Sequence, residues 1–264
     1  MSDEKQRVTE QAMFQEHQVQ DPHAPLGVFD LPCGYLAPNG ELIKEVRVRE
    51  ITGAEEDMLA VRTMNGGKKM TQLIGNCLEQ LGPVVDRPLL LKLARDLTIG
   101  DRVFLLFAIR RVTLGDVFPV EEKCPECQKK SNFYIDVSKL TIKAMPTPSK
   151  RVYAYTSTSG KTTAQWHVMT GKDEEALSAL ASSDALSGAL LARLDVLNGG
   201  PPTLDTVKKL SLPERTALRE EFDRHEGGVD TEAAVECGHC GHEFKVELNP
   251  GATGFFFPSR VRKA

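Results

Sequence analysis

The alternation of apolar and polar positions lays out the elements in order. Gly34-Tyr35-Leu36 and the run from Leu42 to Ile51 flank Pro38-Asn39-Gly40. In the second run Val46 and Val48 fall on one face and Arg47 and Arg49 on the other. Period two marks a half-exposed strand, and Asn-Gly tolerates the positive φ of a tight turn, so strand, turn and strand are expected. Thr52 then precedes Glu55 by three residues. That is capping-box spacing, in which hydroxyl and carboxylate each satisfy a backbone N–H at a helix start. Helical spacing follows through Met58, Leu59 and Val61, and further helices are expected over 70–81, closed by Gly82-Pro83, over 88–95, and from Thr98 through Ile109. After Gly115-Asp116 the period returns to two, at 117–120 and 133–137.

Part of this order recurs. Ile51-Thr52-Gly53-Ala54-Glu55-Glu56-Asp57 is echoed by Met169-Thr170-Gly171-Lys172-Asp173-Glu174-Glu175, 118 positions later (169 − 51). Leu97-Thr98-Ile99-Gly100-Asp101-Arg102 is echoed by Leu210-Ser211-Leu212-Pro213-Glu214-Arg215, at an offset of 113 (210 − 97). Cys124 and Cys127 return as Cys237 and Cys240 at that same offset, each pair followed by a strand-like run. Echoes in a fixed order point to duplication. The strand pair opening the second copy falls at 150–155 and 162–168, turning at Ser159-Gly160. The expected fold is α+β: two related half-domains, each a β-hairpin, helices and a CxxC knuckle with its own hairpin, joined at one zinc-ribbon-like site. Residues 1–27, polar and without apolar period, read as a flexible arm. Residues 28–145 form the first repeat, 146–250 the second, and 251–264 an aromatic and basic tail.

Charge and cysteine usage narrow the function. Across 264 residues, 33 lysines and arginines face 37 aspartates and glutamates, a net charge of −4. This is a poor footprint for phosphate binding, so nucleic acid is not an expected partner. No apolar run approaches the roughly 20 residues that cross a bilayer, and the N-terminus lacks a signal-peptide core, so membrane contact is not expected and a cytosolic, reducing compartment is the default.

Of six cysteines, Cys33 and Cys77 stand alone and read as buried small hydrophobes. Each CxxC turn presents two sulfurs to a tetrahedral ion, so Cys124, Cys127, Cys237 and Cys240 together would close the shell of one structural zinc. The span from Cys127 to Cys237 far exceeds that of an ordinary ribbon, and duplication explains it. Rival readings are a redox pair, a catalytic zinc with His239 or His242 as ligand, and cysteines that bind nothing. Neither CxxC opens a helix after a strand, as a redox pair would, and four thiolates make a closed site more natural.

No catalytic constellation emerges. Ser159-Gly160-Lys161-Thr162 ends like a phosphate-binding loop, but Tyr155 stands where the leading glycine belongs. The acidic runs 55–57 and 173–175 lie in first helical turns, where the helix dipole favours them.

These residues resemble a known family. Leu31-Pro32 with Gly34-Tyr35 before Asn39-Gly40, Ile51-Thr52-Gly53 with Glu55-Glu56, the Asp101-Arg102 helix, Thr113-Leu114-Gly115-Asp116 leading to Cys124 and Cys127, and Cys237 and Cys240 with Phe255-Phe256-Phe257 look like the baseplate hub/assembly proteins of T-even-like contractile-tailed phages. The resemblance spans most of 29–258. It implies a non-enzymatic part of a contractile-tail baseplate, or of a related contractile injection system, in the virion or active during its assembly. Other baseplate and tail proteins are then the expected partners, with no small-molecule substrate. In that setting Phe255, Phe256 and Phe257 with Arg260 and Arg262 are expected to dock in a partner, aromatic anchors within a charged rim. The competing class is a zinc-ribbon accessory protein for nucleic acid; a metal-dependent hydrolase is a third.

Overall fold

Gly27–Leu36 (β1) and Leu42–Val48 (β2) pair antiparallel across the expected turn, where Gly40 takes φ 84°. The computed structural model describes residues 27–61, 63–180 and 182–256. The expected arm lies outside these up to residue 26, and Gly27 already belongs to β1.

Four helices follow: α1 (Gly53–Ala60), α2 (Gly66–Cys77), α3 (Arg87–Asp96) and α4 (Ile99–Leu114). α1 carries the capping box, with Glu55 Oε2 accepting from the Thr52 N–H at 2.9 Å. The helix expected over 70–81 instead ends at Cys77, and Leu78–Leu81 (β3) adds to the sheet. Leu78 opposes Val48 and Leu81 opposes Val46, all four fully buried. Pairing with β2 overrides the helical spacing there.

Val117–Lys123 (β4) and Lys130–Asp136 (β5) form a hairpin around the first knuckle, and a short bridge strand, Ile142–Lys143 (β6), follows. Val152–Thr156 (β7), Thr163–His167 (β8) and Leu194–Leu197 (β9) make a second three-stranded antiparallel sheet, in the same order as the first. Its register shifts between Gln165 and Trp166, as that of β2 and β3 does between Arg47 and Val48. Helix α5 (Gly171–Leu177) has a capping box from Thr170 and Asp173. Then come α6 (Ala185–Leu191), α7 (Leu204–Lys208) and α8 (Leu212–His225). Gly228–Val229 (β10) pairs with β6, and Glu232–Glu236 (β11) with Glu243–Glu247 (β12) frames the second knuckle before Thr253–Phe256 (α9).

Two hydrophobic cores result. The first joins β1–β3 and α1–α4 to residues of both knuckle hairpins and α9. The second gathers Tyr153, Trp166, Leu190, Leu197, Leu218 and Phe222 between the second sheet and α6–α8. The β11–β12 hairpin therefore packs on the first core, although it follows the second sheet in the chain.

Candidate metal centre

Both knuckles fold by the same hydrogen bonds. The Cys124 N–H donates to Lys129 O and the Gln128 N–H to Cys124 O; the Cys237 N–H donates to His242 O and the Gly241 N–H to Cys237 O. Gln128 and Gly241 close the two turns with φ 59° and 72°. Glycine takes that conformation freely, whereas Gln128 takes it at a cost.

The hairpins bring the four sulfurs together. Cys124 Sγ lies 3.7 Å from Cys240 Sγ, Cys127 Sγ 3.7 Å from Cys237 Sγ, and all four lie within 4.8 Å of one another. A tetrahedron with zinc–sulfur distances of about 2.3 Å has edges of about 3.8 Å, so the cluster has the size of a closed zinc shell. Cys124 and Cys237 are buried, while Cys240 is exposed. N–H groups of His239 and Cys240 aimed at the Cys237 sulfur pull its pKa down to about 6. At Cys240 the His242 N–H also favours the thiolate, but the three neighbouring sulfurs, with partial loss of hydration on the cluster side, outweigh it and push the pKa up to about 12. One thiolate forms readily and the next is opposed by it; a divalent cation among the sulfurs removes that opposition.

Phe133 of β5 and Phe244 of β12 link the two hairpins. Cys33 and Cys77 lie apart from the cluster, in buried positions where desolvation pushes each thiol up to about 12.

The terminal aromatics require a correction. Phe255 and Phe256 are only 1% and 4% exposed and pack in the chain's own core. The Phe255 ring meets Phe107 edge to face at 5.0 Å and Phe118 at 5.3 Å, and its carbonyl accepts from Arg110 Nε at 3.1 Å. Packing against α4 and β4 removes both rings from water, so they are not available to a partner as expected from sequence. Phe257, Arg260 and Arg262 lie outside the described residues.

The sequence reading also missed Arg102, 2% exposed, whose guanidinium ties α5 to α2–α4. An Asp-Arg pair in the first turn of a helix carries no mark of such a role.

A family model described as T4 bacteriophage base plate protein matches residues 36–184. The chain belongs to this family. It is thereby a phage base plate protein. No curated protein and no solved structure matches the chain. The matched stretch of this base plate protein holds β2 and β3 of the first sheet, helices α1–α5, the first knuckle and strands β7 and β8; it leaves out nearly all of β1 and stops short of Cys237. Among the described residues no helix is long and apolar enough to cross a membrane.

Proposed function

We propose that the chain is a structural or assembly part of a contractile-tail baseplate, or of a related contractile injection system. In this reading it is built from two related halves and held by one structural zinc on Cys124, Cys127, Cys237 and Cys240. The approach of four sulfurs to within 4.8 Å of one another carries the metal reading. Burial of Cys124 and Cys237 and the closed set of four ligands favour a structural over a catalytic ion. The halves are supported by the two sheets of identical strand order, by the capping boxes at Thr52 and Thr170, and by the matching knuckle hydrogen bonds. Its partners are other tail proteins, with Phe257, Arg260 and Arg262 as docking residues.

Two measurements test this. Elemental analysis of the purified chain is expected to give one zinc per molecule, and a chain without stoichiometric metal removes the clamp. Mass spectrometry of purified particles is expected to find the chain in the baseplate. Its absence there, with presence only in tail-assembly intermediates, assigns it to assembly; absence from both overturns the structural role.

A further inference from the structure

α5 is seated on the first core through a specific socket. Arg102 donates to Ala94 O at 2.6 Å, to Thr71 Oγ1 at 3.1 Å and to Glu174 Oε2 of α5 at 2.7 Å. Glu175 accepts from Thr71 Oγ1 at 2.7 Å and pairs with Arg95 at 2.9 Å. The main chains join as well: the Ile99 N–H donates to Met169 O at 3.0 Å and the Gly171 N–H to Leu97 O at 3.1 Å. Gly171 sits so close that a Cβ there would lie 2.5 Å from Arg102 Nη1.

The second half carries the same socket without a helix in it. Arg215, offset by 113 from Arg102, donates to Val207 O at 3.0 Å, and Val207 has that same offset from Ala94. Arg215 also donates to Ser187 Oγ at 3.1 and 3.2 Å, as Arg102 does to Thr71. Among the described residues no carboxylate pairs with Arg215. Lys208 stands in the place of Arg95, beside Asp184 at 2.6 Å. Leu186 is 74% exposed where its counterpart Met70 is 8% exposed, and Leu212, in the place of Ile99, is 72% exposed. Thr98 bridges to Thr170, yet among the described residues no bridge reaches Ser211.

The helix that matches this socket is α1. Its Gly53, Glu56 and Asp57 stand where α5 has Gly171, Glu174 and Glu175. Glu56 and Asp57 are exposed and make no ion pair among the described residues, and a Cβ on Gly53 would meet nothing within 4 Å. α1 of the same chain packs instead beside α2, where Lys69 Nζ donates to Leu59 O at 2.9 Å. We propose that the face formed by α6, α7 and the start of α8 is an interface for a second copy of this chain. The neighbour's α1 lies on it as α5 lies on the first half, with Glu56 on Arg215 and Asp57 toward Ser187 and Lys208. This rests on the equivalence of the two halves and not on the metal. The contact is head to tail, so copies close into a ring or extend as a filament according to the rotation between them.

Sedimentation velocity of the full chain over a concentration series tests it. The unaltered chain is expected to self-associate, and Arg215→Glu and Glu56→Arg each to weaken association roughly tenfold or more. An equimolar mixture of the two variants is expected to give a dimer, because one retains Glu56 and the other Arg215. A chain that stays monomeric, variants that associate unchanged, or a mixture that forms no dimer overturns the interface. Arg215→Ala separates this failure from failure of the equivalence. If only the interface is wrong, the variant lowers Tm by less than Arg102→Ala, because it strands no carboxylate, while the chain remains monomeric; if the Arg215 socket is not formed in the second half, Tm is unmoved.

Discussion

Phe133 and Phe244, from hairpins more than a hundred residues apart in the chain, meet edge to face with ring centroids 5.6 Å apart at 84°. The pair lies where β5 and β12 carry the two knuckles, so aromatic packing holds the hairpins in register for their sulfurs to converge. Phe244→Ala removes the contact and is expected to cost about 2 kcal/mol, less than a fully buried ring because Phe244 is only half-buried. Metal affinity is expected to fall with it. Urea unfolding with a competitive zinc titration on the same variant checks both; unchanged affinity would show that the sulfurs converge without the aromatic support.

Much of this arrangement was legible in the residues. Asn39-Gly40, the Thr52 and Thr170 boxes and the CxxC spacing each fix local geometry through a short-range physical cause, and each is found where expected. What escaped depends on distant partners. The strand at Leu78–Leu81 exists because β2 offers an edge, and Phe255 is buried because α4 and β4 present Phe107 and Phe118 to it. Arg102 looks like any helix-face arginine until α5 arrives from 72 positions away.

Arg102→Ala is expected to cost roughly 3–5 kcal/mol, since it strands Glu174 and leaves Thr71 and the Ala94 carbonyl without their buried donor. Arg102→Lys is expected to recover only part of this, because an ammonium cannot span three acceptors held by the planar fork. Chemical denaturation of both variants checks the order. A lysine variant as stable as the original would reduce the socket to simple charge.

His167 sits 3.5 Å from Asp173 and 2.8 Å from Asp195, linking β8 to the cap of α5. The Asp173 carboxylate raises its pKa above the ordinary 6.5, against a smaller opposing effect of burial, with Asp195 adding to the rise. A group with a raised folded pKa contributes fully below the unfolded value and loses that contribution as pH climbs through the folded one. Thermal stability is therefore expected to decline above pH 6.5 by a step that His167→Asn abolishes. Tm measured across neutral and mildly alkaline pH for both proteins checks it; parallel profiles would assign the decline elsewhere.

Zinc removal is expected to loosen the hairpins before it unfolds the chain. Both knuckles project from the first core on strands whose inner residues, Phe118, Ile135 and Val246, stay buried without help from the sulfurs. The helices of that core are tied by Arg102 and by the apolar face of α2. Chelation or Cys240→Ser is therefore expected to lower Tm by on the order of 10 °C. Helical circular dichroism at room temperature is expected to be retained. Hydrogen exchange locates the change: amides of 117–136 and 232–247 are expected to lose protection while those of α2 and α4 keep it. Uniform loss across all of these would mean that the clamp and the core fold as one unit, and unchanged exchange would mean that the four sulfurs hold no ion.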